Sequence, residues 1–158
     1  MDIEDILYDF IEVCRLANVP NFNRSSIEIK EGHLSISLEK DTIAAYIFMY
    51  GDKCLKVGKV GPNSNARYIY QHYHHKSSNS NLAKSLLNDS ILRTSENFKE
   101  LNVKEWIKAN TERINLILDE RFGIFVLGLL ESFLHCRLHP KYEGFKNQKR
   151  TPENIIEE

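Results

Sequence analysis

At 158 residues the chain suffices for one domain whose core needs neither disulfides nor a structural metal. Its 42% hydrophobic and 27% charged residues are those of an ordinary globular protein, without the biased tracts of a disordered or fibrous one. A net charge of -1 lacks the large positive excess of many nucleic-acid binders. The distribution softens that exclusion, because Lys53, Lys56, Lys59, Arg67, Lys76 and Lys84 recur through the middle while acids gather at both ends. Cys14, Cys54 and Cys136 are an odd number with no CxxC pair, which speaks against a disulfide framework or a cysteine zinc site and for buried reduced thiols.

The opening stretch MDIEDILYDFIEV is acidic where a secretory signal is basic, and no apolar run approaches bilayer length, so a cytoplasmic location without a membrane partner is expected. Ile3, Ile6, Leu7, Phe10, Val13, Cys14 and Ala17 fall at helical spacing behind Asp2, which predicts a capped amphipathic helix over 2–17. After a connector over 18–26, residues 33–38 alternate polar and apolar with period two, as an accessory strand does. TIAAYIFMY over 42–50, a turn at Gly51-Asp52 and an extended pattern over 54–58 predict a hairpin with a buried first arm. Gly58, Gly61 and Pro62 end the second arm. A helix from Ala66 to about Tyr73 follows, then a Ser/Asn-rich loop over 76–81 and a short helix through Leu82, Ala83, Leu86 and Leu87. Residues 104–109 read as helix around Trp106, and 113–118 as the third strand of the sheet. From Arg121 to Leu138 the chain is apolar almost all round, as a helix packed centrally on the sheet would be, with Glu131 the anomaly. Pro140, Gly144 and Pro152 among charges mark an extended wrap and a frayed end.

The order of hairpin, helix carrying Arg67, third strand and apolar helix carrying Glu131 resembles the GIY-YIG nuclease family over roughly residues 42–144. The first family motif falls on Ala44-Ala45-Tyr46, keeping the tyrosine but not Gly-Ile. The second falls on Lys56-Val57-Gly58, with lysine where the name-giving tyrosine stands, as in some restriction endonucleases. Arg67 matches the family arginine, His72 stands near a histidine that many members carry, and Glu131 matches the metal-binding glutamate. His139-Pro140 resembles the proline segment after it, without the usual asparagine. The resemblance implies an α+β fold: a small central three-stranded antiparallel sheet flanked by helices, with residues 1–38 as an N-terminal helix and accessory strand, 39–145 as the nuclease core and 146–158 as a tail.

It also implies a DNA endonuclease of restriction, phage-defence or mobile-element type, using Mg2+ or Mn2+. Phosphodiester hydrolysis needs an activated water, charge stabilisation at phosphorus and help for the departing oxygen. In this reading Tyr46 is the general base, beside a Lys56 cation that favours phenolate. Arg67 is the phosphate clamp, His72 a phosphate contact or proton shuttle, and Glu131 the metal ligand. Lys59, Arg67 and Lys84 are candidate nucleic-acid contacts.

Each residue also has a plainer account. Tyr46 alone reads as a core tyrosine, Lys56 and Arg67 as solvated charges. Glu131 is costly to bury unless protonated, ligating a metal, or paired with a lysine or arginine on a wet helix face. The runs around His72, His74 and His75, and around His135, Cys136 and His139, lack zinc-motif spacing. Gly58-Lys59 with Gly61 is not a phosphate loop. Competing functions are a hydrolytically inactive nucleic-acid or protein-interaction module on the same scaffold, and an assembly protein that forms a homodimer through the apolar helix after Phe122.

Overall fold

The computed structural model describes residues 2–33, 37–62, 64–78 and 81–142. It is an α+β arrangement around one antiparallel sheet. Helix α1 spans Ile3–Leu16, with Asp2 accepting from the Glu4 amide at its N-terminus. The strands are β1 (Ile27–Glu31), β2 (Thr42–Tyr50), β3 (Lys53–Val60) and β4 (Glu112–Asp119), in the spatial order β1-β4-β2-β3. Between β3 and β4 lie α2 (Asn65–Ile69), a 3-10 turn (Gln71–Tyr73), α3 (Leu82–Asn88), α4 (Ser90–Ser95) and α5 (Val103–Asn110); α6 (Gly123–Leu138) follows β4.

The sheet thus has four strands, not the expected three. The added strand is β1, which pairs antiparallel with β4 from Ile27 opposite Leu118 to Glu31 opposite Ile114. Of the alternating stretch expected at 33–38, residues 34–36 lie outside the described residues. The predicted helix from Ala66 to Tyr73 is divided, because Tyr70 leaves helical geometry at φ -134 and the chain tightens into the 3-10 turn.

Helices cover both faces of the sheet, so the central strand β2 is buried on both sides. That is why TIAAYIFMY reads as a continuous apolar run instead of an alternating one. Ile43, Ala45, Ile47, Leu116 and Val57 pack on one face against Ile6, Leu7 and Phe10 of α1 and Leu127, Leu130 and Leu134 of α6. Ala44, Tyr46, Phe48 and Ile117 point to the other face, under Tyr68, Tyr73, Leu82, Leu86 and Ile107. We call these the α6 face and the α2 face. Helix α6 lies on the sheet as expected, yet it is not enclosed: Ile124 and Phe125 at its start are exposed. No helix among the described residues is long and apolar enough to cross a membrane.

Candidate active site

Strand alternation decides which side chains can meet. Tyr46 lies opposite Gly58 and Phe48 opposite Lys56, so the phenol and the Lys56 ammonium share the α2 face of the β2–β3 pair. The register shifts between Phe48 and Met49, a bulge that puts Leu55 on the same face as Lys56. Gly58 leaves room for the phenol: a Cβ there would meet Tyr46 Oη, Cζ and Cε2 well inside contact distance. On β4, Arg113 lies opposite Phe48 and Asn115 opposite Tyr46, so both also project to the α2 face.

The 3-10 turn lowers His72 onto the phenol. His72 Nε2 and Tyr46 Oη share a hydrogen bond of 2.6 Å, and both residues are fully buried. Burial pushes the His72 imidazole well below its ordinary pKa, helped by the positive charges of Lys56, Arg113 and Arg67. The imidazole is therefore neutral at pH 7. Lys56 and Arg113 are each 1% exposed, whereas Arg67 on α2 is exposed. The structure thus brings together Tyr46, Lys56, Arg67 and His72, four of the five residues expected to be catalytic.

Glu131 is elsewhere. It projects from α6 toward β3 and pairs with Lys59 at 2.7 Å, the carboxylate about one quarter exposed. Lys59 stands opposite Ala45 and so points to the α6 face. The carboxylate and the phenol consequently occupy opposite faces of the sheet, against the expectation of one concave patch. What links them is β3, where Gly58 carries the Tyr46 ring on one side and Lys59 holds Glu131 on the other. The buried-carboxylate problem is solved as the plainer account has it, by pairing with a lysine, here Lys59 of β3, on a partly wet face of α6. Lys59 is on the α6 face, away from the Tyr46 group, and Lys84 is exposed on α3.

A polar network that sequence reasoning missed continues from the phenol. His33 Nε2 donates to the Thr111 carbonyl at 2.7 Å, which leaves Nδ1 to accept from Tyr73 Oη at 2.9 Å. Tyr73 Oη in turn accepts from Arg113 Nη1 at 3.1 Å. Arg113 stacks on Tyr46, Phe48 and Tyr68, and its Nε and Nη2 have no hydrogen-bond partner among the described residues. The signal in the sequence was an arginine and an asparagine on alternate positions of an otherwise apolar strand.

A Mg2+ site built on one carboxylate, with water and phosphate completing the shell, is compatible with Glu131. No cluster of three or more His, Cys, Asp or Glu side chains suited to a metal occurs among the described residues, as also holds for the two histidine runs. No protein-family model, curated protein or solved structure matches the chain.

Proposed function

We propose that the protein is a divalent-metal-dependent phosphodiesterase acting on nucleic acid, with DNA as the first substrate to test. The observation that carries the reading is the short Tyr46–His72 hydrogen bond set among Lys56, Arg67 and Arg113. A phenol surrounded by fixed positive charge and paired to a neutral imidazole is suited to act as a general base beside a phosphate. Arg67, the exposed cation of the group, meets the phosphate oxygens with a planar fork. Lys56 adds charge at the phosphorus. Because Tyr46 and His72 are fully buried, the reading requires the α2 segment to shift when substrate enters.

Glu131 would hold the metal once Lys59, about half exposed, swings off the carboxylate. Its bound ion would supply charge stabilisation at the departing oxygen. The wild-type chain is then expected to cut plasmid DNA only with Mg2+ or Mn2+. Tyr46→Phe and Glu131→Gln should each lower the single-turnover rate by about 10²-fold or more. Cutting at the parental rate by both variants would contradict these roles.

The pairing of Glu131 with Lys59, on the face away from Tyr46, favours a second reading: a nucleic-acid-binding module that does not hydrolyse. Such a module gives a steeply salt-dependent Kd and no product with any metal.

A further inference from the structure

The hydrogen-bond chain through Tyr73 is fixed in direction at both ends, because a guanidinium only donates and a carbonyl only accepts. Arg113 Nη1 donates to Tyr73 Oη at 3.1 Å, so the Tyr73 hydrogen goes to His33 Nδ1 at 2.9 Å, and His33 Nε2–H goes to the Thr111 carbonyl at 2.7 Å. No link can reverse. One state of the imidazole completes the chain: neutral, with its hydrogen on Nε2. Tyr73 and Arg113 are buried, and the His33 ring meets the Tyr73 ring edge to face, 5.7 Å between centroids.

These bonds join parts of the chain far apart in sequence. His33 follows β1, Thr111 lies between α5 and β4, and Tyr73 ends the 3-10 turn whose middle residue is His72. The turn's own backbone holds it weakly, through the Tyr73 amide to the Tyr70 carbonyl at 3.0 Å and the His74 amide to the Gln71 carbonyl at 3.4 Å. Its position therefore depends on its side-chain anchors: His72 on Tyr46, and Tyr73 on His33 and Arg113.

Protonating His33 breaks the chain. Nδ1–H would then face an oxygen that already accepts from Arg113, and the Tyr73 hydrogen would lose its acceptor. The groups facing the ring are Tyr73 from the turn, Lys108 from α5, Arg113 from β4 and uncharged Phe48 from β2. The two charges that act on it, Arg113 and Lys108, are both positive and would repel a third. Burial first, and then these cations, hold the imidazole below its ordinary pKa, so it is neutral at pH 7.

We infer that His33 is a positioning residue: in its neutral form it latches Tyr73, and with it the turn that carries His72, onto the sheet, and on protonation it releases that turn. The inference takes its functional meaning from the nuclease reading, in which the α2 segment must shift to admit substrate. The latch itself is measurable without substrate.

The test is amide hydrogen exchange of the full chain, corrected for the intrinsic pH dependence of exchange and read at Tyr73 and His74 with the amides of β2 as reference. The parent is expected to lose protection at these two amides by about tenfold or more as the His33 ring signal moves to its protonated position, while β2 keeps its own. Tyr73→Phe removes the hydroxyl and leaves the ring, so it should show the loss already at about pH 8. His33→Gln offers one donor and one acceptor without titrating, so it should keep the protection and show no such step on acidification. Parental protection in Tyr73→Phe overturns the inference, as does protection retained in the parent once His33 is protonated. A step that persists in His33→Gln belongs to another group and also overturns it. Absence of cleavage alongside the expected exchange would remove the nuclease reading alone; metal-dependent cleavage alongside any of the contrary exchange results would remove this inference alone.

Discussion

A single methyl group at position 58 would reach the Tyr46 hydroxyl. Gly58→Ala is therefore expected to displace the phenol from His72 and to cost about 1–3 kcal/mol of stability, the range for overpacking a filled site. Urea unfolding checks the cost; a midpoint equal to the parent's would mean the ring has room. His72 makes a second prediction at this scale. Burial first, then the cations Lys56, Arg113 and Arg67, hold its folded pKa well below the ordinary 6.5. The folded state then refuses a proton that the unfolded chain accepts, so this contribution is intact above about pH 6.5 and is lost as pH falls below it. The slope reaches about 1.4 kcal/mol per pH unit for one such group. His33, whose pKa burial also lowers, adds in the same direction. His72→Gln should flatten the acid limb of the stability profile between about pH 6.5 and 5 without abolishing it.

Among the elements, β3 positions the site, because its alternating side chains supply one charge to each face. The Lys59–Glu131 pair that ties it to α6 is partly exposed on both sides, so its net stabilisation is expected below about 1 kcal/mol. A double-mutant cycle with Lys59→Met and Glu131→Gln should return a coupling of that size; a coupling of several kcal/mol would mark a desolvated structural ion pair. The hairpin, β4 and α6 were legible in the sequence because buried central elements spell themselves as long apolar runs. Strand β1 was not, since Ile27–Glu31 offers two isoleucines among charges and pairs with residues far along the chain. The meeting of Tyr46, Lys56 and His72 followed from hairpin register and motif order. The face chosen by Glu131 did not, because nothing in a helix's own sequence states on which side of a sheet it will pack. The weight of Arg113 was visible only as a charge where β4 is otherwise apolar.

Over the whole molecule, two helical layers enclose a sheet whose polar interior is concentrated on the α2 face. The chain after α6 returns to that layer: the Lys141 and Tyr142 amides donate to the Cys54 and Leu55 carbonyls of β3, and Tyr142 Oη donates to Asp89 at 2.7 Å. Tyr142→Phe should lower stability by about 1–2 kcal/mol, the scale of a lost hydrogen bond to a carboxylate, read as a shift in the denaturant midpoint. The exposed Ile124 and Phe125 sit on the opposite layer. Function rests on whether the buried phenol takes part in phosphodiester hydrolysis. The most direct measurement is single-turnover cleavage of plasmid DNA and of an RNA of mixed sequence with Mn2+, comparing the parent with Tyr46→Phe. Metal-dependent product from the parent and a loss of about 10²-fold or more in the folded variant are the predicted results. No product on either substrate, or equal rates for the two proteins, would contradict the account.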